Sequence, residues 1–293
     1  MPGALDLMHF ADTFLPERAC VPAPAKINLF LHIVGRRPDG YHLLQTAFRL
    51  IDWGDEITLE RRADGLIRRT SDVPGVPPES DLVVRAARAL QAASGATWGA
   101  DIGVLKRIPM GGGLGGGSSD AASVLIALNR MWGCGLSRAR LQEIGLGLGA
   151  DVPFFIFGET AFAEGVGEAL QPLSVPPAWY VMVAPDAFVP TAEIFSDQEL
   201  TRDSEILIMR AFAMHTTRND MQAVVCRRFP KVAESLVWLS RYGAARMSGS
   251  GACVFAPFDS KEQAEQVAAA APQGTKVWVA EGLDRHPLQE WVV

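Results

Sequence analysis

The sequence predicts an α+β fold in two domains, residues 1–170 and 171–293. Three observations carry that reading. Period-two patterning begins at Ala23, a glycine-rich run from Gly111 to Gly117 stands between a strand pattern and a helix pattern, and Pro172, Pro176 and Pro177 precede a renewed alternation of strands and helices. With 293 residues, 48% of them hydrophobic, the chain is long enough for one large core or two ordinary ones.

Residues 1 to 20 read as a loose lead-in. From Ala23, the residues Ala25, Ile27, Leu29, Leu31 and Ile33 alternate with Lys26, Asn28, Phe30, His32 and Val34, which predicts a strand through Val34. That alternation puts Lys26 and Asn28 on one face, about 6 to 7 Å apart, opposite the apolar set. The run Gly35-Arg36-Arg37-Pro38-Asp39-Gly40 is turn-forming, and a second strand is expected around Ala47 to Leu59. Residues 81–94 are alanine-rich, with apolar positions at helical spacing and Gly95 just beyond, so they predict a helix. A further strand is expected from Ile102 to Ile108, ended by Pro109, and helices from Ala121 to Trp132 and Ser137 to Leu148. Between Gly149 and Gly158 the chain turns from polar to apolar within a few residues, with Asp151 at the corner.

Charge and cysteine usage narrow the function. A net charge of -6 without a run of five like charges argues against a nucleic-acid footprint or a polybasic membrane patch. Cys20, Cys134, Cys226 and Cys253 are scattered, with no C-x-x-C, so neither a disulfide framework nor a zinc site is indicated and a reducing compartment fits best. The first twenty residues carry Asp6, Asp12 and Glu17 without a basic region, and no stretch approaches eighteen apolar residues. A cytoplasmic protein is therefore expected.

The segment Met110-Gly111-Gly112-Gly113-Leu114-Gly115-Gly116-Gly117-Ser118-Ser119-Asp120 holds six glycines in seven positions. A strand, a glycine loop and a helix in that order set free backbone N–H groups at a positive helix terminus, which is how proteins bind phosphate. Gly111, Gly113 and Gly116 formally satisfy G-x-G-x-x-G, but no acidic residue follows about 20 residues on, where Gly133-Cys134-Gly135-Leu136-Ser137 stands instead. A Walker A loop would need a lysine after the glycines, and none is there. A flexible linker would have no reason to sit between a strand and an amphipathic helix.

The stretch from Pro109 to Ala122 resembles the signature loop of the GHMP kinases, in the triple-glycine form of those members that act on a cytidine-diphosphate-linked methylerythritol. Pro24-Ala25-Lys26-Ile27-Asn28-Leu29 running to Arg37-Pro38-Asp39-Gly40-Tyr41-His42, then Gly149-Ala150-Asp151-Val152-Pro153-Phe154-Phe155, and finally Ser248-Gly249-Ser250-Gly251-Ala252-Cys253 are similar to further segments of that family, in the expected order. The resemblance implies a two-domain GHMP kinase fold, with a ribosomal-protein-like amino-terminal half, a ferredoxin-like carboxy-terminal half and the active site in the cleft between them. It also implies that the γ-phosphate of ATP, bound with Mg²⁺, passes directly to an alcohol, the 2-hydroxyl of CDP-methylerythritol. Pro109, Met110, Gly111, Gly112, Gly113, Leu114, Gly115, Gly116, Gly117, Ser118, Ser119 and Lys106 would then hold the nucleotide. Asp151 would accept the hydroxyl proton with Lys26 beside it, and Asn28 would position the acceptor. Tyr41 and Phe195 would sandwich the cytosine while His42 reads its polar edge.

The residues alone leave blander readings open. Asp151 could cap a turn before Pro153, Lys26 could lie on a solvated face, Phe195 could be core and Lys106 could sit on a strand edge. Asp120 and Glu168 are possible magnesium ligands, although phosphates and water can hold the ion without them. The Ser248–Cys253 segment is expected as a tight turn near phosphate or substrate. A homoserine or mevalonate kinase is the main enzymatic alternative, against which the R-P-D-G-Y-H segment argues. A nucleotide sensor without catalysis is the other, against which the presence of both Lys26 and Asp151 argues.

Overall fold

The computed structural model describes residues 17–209 and 217–292, so the lead-in at residues 1–16 lies outside the described residues. The first element is a long antiparallel hairpin of β1 (Arg18–Arg36) and β2 (His42–Arg62), paired from Arg18↔Glu60 to Arg36↔His42. Both strands outrun the expected ranges. Residues 18–22 still find partners at 56–60, and the end of β2 is held on its other side by β4 (Gly99–Leu105). β4 itself stops short of the expected Ile108. The Asp55 carboxylate accepts the N–H groups of Arg107 at 2.5 Å and Ile108 at 2.8 Å, drawing the chain off the ladder.

β2 is the hub of the sheet. It also pairs with β5 (Ala161–Glu164), which pairs with β6 (Ala169–Pro172), while β3 (Ile67–Arg69) runs parallel to β4. The division expected near residue 170 thus falls within β6. β7 (Trp179–Ala184), β8 (Arg246–Met247) and β9 (Val254–Phe258) form the second part of the sheet, and β10 (Lys276–Leu283) pairs with both β7 and β2. One ten-stranded sheet, β3-β4-β2-β10-β7-β9-β8, with β1 and β5 also paired to β2 and β6 paired to β5, therefore runs through both halves.

Helices cover the sheet in two groups. α1 (Leu82–Ser94) is closed by Gly95 at φ 71°, as its sequence predicts, and the Asp81 side chain caps its start by accepting Val83 N–H. With α2 (Gly116–Met131), α3 (Arg138–Leu146) and α4 (Val152–Phe157) it builds a core in which Val83, Leu90, Leu125, Leu128, Phe154 and Phe155 are all fully buried against Leu50 and Ile57. Each such side chain contributes about 1.5 to 3 kcal/mol. The second core sets Val181, Val183 and Val254 against α6 (Gln222–Arg228), α7 (Pro230–Leu239) and α8 (Lys261–Ala269). Leu31 and Ile33 of β1 belong to this second core, and Leu288 and Val292 at the chain end to the first, so the halves interlock. No helix among the described residues is long and apolar enough to cross a membrane.

Candidate active site

A cavity of about 1120 Å³ is lined by residues of both halves: Lys26, Asn28, Tyr41, His42, Lys106, the loop from Pro109 to Ser118, Asp151 and Phe195. Every residue expected at the site reaches it except Ser119.

Lys26 and Asn28 lie between two irregularities of the β1–β2 register, at Pro24/Lys26 and Asn28/Phe30. Such bulges bend a strand and re-aim its side chains. Here they turn both polar residues inward, so that Lys26 and Asn28 are 3% and 2% exposed, not on a solvated face. The Lys26 ammonium donates to Asn28 Oδ1 at 2.6 Å, lies 3.5 Å from Asp151 Oδ2 and sits 5.1 Å from the centroid of the Phe48 ring. Asn28 Nδ2 donates to Thr46 Oγ1 at 2.9 Å, and Thr46 in turn donates to the Phe30 carbonyl, which fixes the amide so that its oxygen faces the lysine. Asp151 stands at the N-cap position of α4 but its side chain makes no capping bond. The carboxylate, about a third exposed, is left to Lys26 and the cavity.

The glycine loop is more helical than its composition suggests. α2 starts at Gly116, five residues before the expected Ala121, and its first bond runs from Ser119 N–H to Gly115 O at 2.9 Å. The N–H groups of Gly116, Gly117 and Ser118 are left without intrahelical partners at the positive end of a 16-residue helix. Ser119 lies on the far side of that turn, and its buried hydroxyl donates to the Pro24 carbonyl at 2.7 Å. It fastens α2 to β1 and does not face the cavity, which corrects the expectation for its side chain. Gly111, Gly113 and Gly115 have φ of 69°, 71° and 72°, the left-handed region. A Cβ on Gly113 would stand 2.1 Å from the Ser248 carbonyl oxygen. The late glycine turn lies here as well: Ala252 and Cys253 N–H donate to Gly111 O and Gly112 O at 3.1 Å, and Ser248 Oγ donates to Gly113 O at 2.9 Å while accepting Asn28 N–H at 3.2 Å.

Lys106 is no strand-edge lysine. Its ammonium bonds the Asp55 carboxylate and donates to Asp120 Oδ2 at 2.8 Å, beneath the first turn of α2. Burial, with the Asp55 carboxylate adjacent, pushes the Asp120 carboxyl up to about 8 against the opposing pull of Lys106. Asp120 does not line the cavity, and Glu168 is occupied by Val166 N–H at 2.6 Å. Among the described residues no group of three or more His, Cys, Asp or Glu could hold a metal ion.

At the other end of the cavity α5 (Thr191–Ser196) presents Phe195, and the start of β2 presents His42. The two rings stack, with centroids 4.8 Å apart and planes at 20°. Tyr41 is well exposed on the cavity rim, its ring 6.0 Å from the Arg37 guanidinium. The structure therefore brings all three together but lays the His42 ring on a face of Phe195. Burial and the guanidinium groups of Arg202 and Arg36 lower the His42 pKa, favouring the neutral ring. Thr191 and Ser250 share a 2.7 Å hydroxyl–hydroxyl bond on the same cavity. Ser250 belongs to the glycine turn that the sequence places near phosphate or substrate, whereas Thr191, Asp55 and Arg202 carry no motif that singles them out in sequence.

Residues 81–159 match the family model described as the GHMP kinases N terminal domain, and residues 206–275 the GHMP kinases C terminal model. The chain is 59% identical over 278 residues to the 4-diphosphocytidyl-2-C-methyl-D-erythritol kinase of Aromatoleum aromaticum, covering 95% of this chain and 98% of the relative. A solved 4-(cytidine 5'-diphospho)-2C-methyl-D-erythritol kinase superposes with a TM-score of 0.78 at 34% identity, over 90% of this chain and 99% of that one. A homoserine kinase from Cytophaga hutchinsonii gives 0.66 at 16% identity over 95% and 98%, a likeness of fold alone.

Proposed function

The chain belongs to the GHMP kinases, in the 4-diphosphocytidyl-2-C-methyl-D-erythritol kinase family, and we propose that it moves the γ-phosphate of ATP to the 2-hydroxyl of that CDP-linked alcohol, a step toward isoprenoid precursors. The observation that carries the chemistry is the Lys26 ammonium set between Asn28 Oδ1 and Asp151 Oδ2, facing a cavity whose other walls are a glycine cradle and a pair of aromatic rings.

Phosphoryl transfer asks the protein mainly to position two substrates and to place positive charge where negative charge gathers. The amino-terminal half, to about residue 170, holds the nucleotide. Its glycines let the loop pack where a Cβ would collide with neighbouring protein atoms, 2.1 Å from the Ser248 carbonyl oxygen at Gly113 and 2.8 Å from the Phe155 ring at Gly115, and so hold the backbone N–H groups at the helix start in reach of phosphate oxygens. The helix end contributes about 0.3 to 2 kcal/mol per anionic contact, so Ser118, Lys106 and a divalent cation must supplement it. Magnesium, when bound, would screen the charge of the phosphate oxygens and would be held mainly by them and by water, since no group of three or more His, Cys, Asp or Glu among the described residues could hold a metal ion. Asp151 accepts the proton of the acceptor hydroxyl, and Lys26 steadies that carboxylate and adds positive charge beside the transferring group. Asn28 positions the hydroxyl. The carboxy-terminal half, from residue 171, supplies Phe195, which with Tyr41 and His42 grips the cytosine by ring faces and a polar edge.

The test is turnover of ATP with Mg²⁺ by the full chain, with CDP-methylerythritol, homoserine and mevalonate offered separately. Phosphorylation of the cytidine compound alone is the expected result. Turnover of either other alcohol instead would remove the roles given to Tyr41, His42 and Phe195.

A further inference from the structure

We propose that Arg202 is the positioning residue of the nucleobase end of the site, locking the His42 imidazole and the Phe195 ring into one arrangement and fixing the tautomer that His42 presents. This rests on the acceptor being a cytidine diphosphate compound, as argued above. Arg202 lies in the segment after α5 and lines the cavity. One guanidinium serves four acceptors: Nη2 donates to the carbonyls of Phe195 and Asp197, both at 2.8 Å, Nη1 to that of Leu200 at 3.1 Å, and Nε to His42 Nε2 at 3.2 Å. The Phe195 and Asp197 carbonyls belong to the end of α5, where a helix leaves its C=O groups unpaired, and Leu200 lies in the turn beyond it, so the charge both caps the helix and sets the direction in which Phe195 projects. His42 arrives from the other half of the molecule, on β2. Arg202 is thus the side chain that ties the His42 ring to the backbone that carries the stacked Phe195 ring.

The bond to His42 has a chemical consequence. Arginine can only donate, so Nε2 must accept, and the proton of the neutral imidazole is carried on Nδ1. His42 then offers a ring N–H donor to the ligand, suited to the acceptor atoms of a cytosine edge. The charged groups facing it are Arg202 and, from the end of β1, Arg36; together with burial they oppose a second proton on the ring. A lysine at 202 could not reproduce this, because a compact ammonium cannot span three carbonyls and an imidazole.

Arg202→Met and Arg202→Lys, in the full chain, are tested by steady-state kinetics with ATP and CDP-methylerythritol from about pH 5.5 to about 8.5. Both variants are expected to raise the acceptor KM about tenfold or more while kcat and the ATP KM stay within about twofold. Their acceptor KM is expected to rise further below about pH 6.5, where the released imidazole takes up a proton, a dependence weaker in the parent protein. An unchanged acceptor KM, or an equal loss on the ATP side, overturns the proposal. The parent protein supplies a test that needs no variant: imidazole nitrogen NMR shifts should show His42 protonated on Nδ1, and a proton on Nε2 overturns the proposal. If the parent does not phosphorylate CDP-methylerythritol at all, the proposed function fails. The imidazole shifts, and the affinity of the Met variant for CDP itself, still decide whether Arg202 holds a nucleobase site.

Discussion

Replacing Asp120 with asparagine is expected to stabilise the protein at neutral pH, although the substitution removes one partner of a buried ion pair. The Asp120 side chain is 6% exposed, takes Lys106 on Oδ2 at 2.8 Å and leaves Oδ1 without a partner. Burial holds its carboxyl at about 8, whereas an unfolded aspartate titrates near about 3.9. The folded pKa is the higher one, so the folded chain keeps a proton that the unfolded chain releases. Stability from this group is full below about pH 4 and falls as pH rises to about 8. At pH 7 the unfolded chain has released this proton while the folded chain still holds it, which works against folding by an amount on the order of 1 kcal/mol or more. Asparagine has no proton to lose and can donate toward Asp55 as the protonated acid does, so it should recover on the order of 1 kcal/mol at pH 7. Urea unfolding of both proteins at about pH 6, 7 and 8.5 measures this. A variant no more stable than the parent at pH 7, or a parent whose stability does not fall over this interval, refutes the reasoning. A kinetic consequence accompanies it. Ionised Asp120 adds a negative charge beneath the phosphate loop, so the ATP KM of the parent should climb above about pH 8 while that of the variant does not.

Gly113→Ala puts a Cβ 2.1 Å from the Ser248 carbonyl oxygen at φ 71°, and should raise the ATP KM about tenfold or more and cost about 2 kcal/mol, read by kinetics and thermal unfolding. His286 is buried beside Arg138, and burial first, then that guanidinium, lowers its pKa to about 3. A lowered histidine pKa means stability is full above about pH 6.5 and falls as pH drops toward about 3, by about 2 kcal/mol at pH 5. His286→Asn, which can still accept Leu288 N–H, should flatten that acid limb in urea unfolding between pH 7 and pH 5.

What was legible in sequence was local. The order strand, glycines, helix is enough to place free backbone N–H groups at a helix start, and the period-two spacing of Lys26 and Asn28 already sets them side by side. Propensity misplaced the start of α2, because glycine and serine disfavour helix while the Ser119–Pro24 bond and packing on β1 outweigh that preference. β4 stops at Leu105 because of Asp55, about fifty residues away in sequence, and nothing in the pattern of residues 102–108 registers that carboxylate. Lys106 reads as an edge lysine for the same reason: its two acids come from β2 and α2. The return of β10 to β2 joins positions more than two hundred residues apart, Gly282 to Ile51, and no periodicity encodes such a pairing. Tyr41, His42 and Phe195 became candidates through family resemblance, but the stacking of His42 on Phe195 depends on Arg202, whose partners at Phe195 and Asp197 are carbonyls freed only once α5 has formed and ended.

The account stands most directly on Asp151 as the proton acceptor, and single-turnover transfer from ATP to CDP-methylerythritol by Asp151→Asn tests it. The amide keeps the shape of the carboxylate beside Lys26 but is no base. The expected result is a transfer rate reduced about 10² to 10⁴-fold, with the affinities for ATP and acceptor within about threefold of the parent. A variant that transfers phosphate at the parental rate would contradict the role of Asp151 and with it the mechanism built around Lys26.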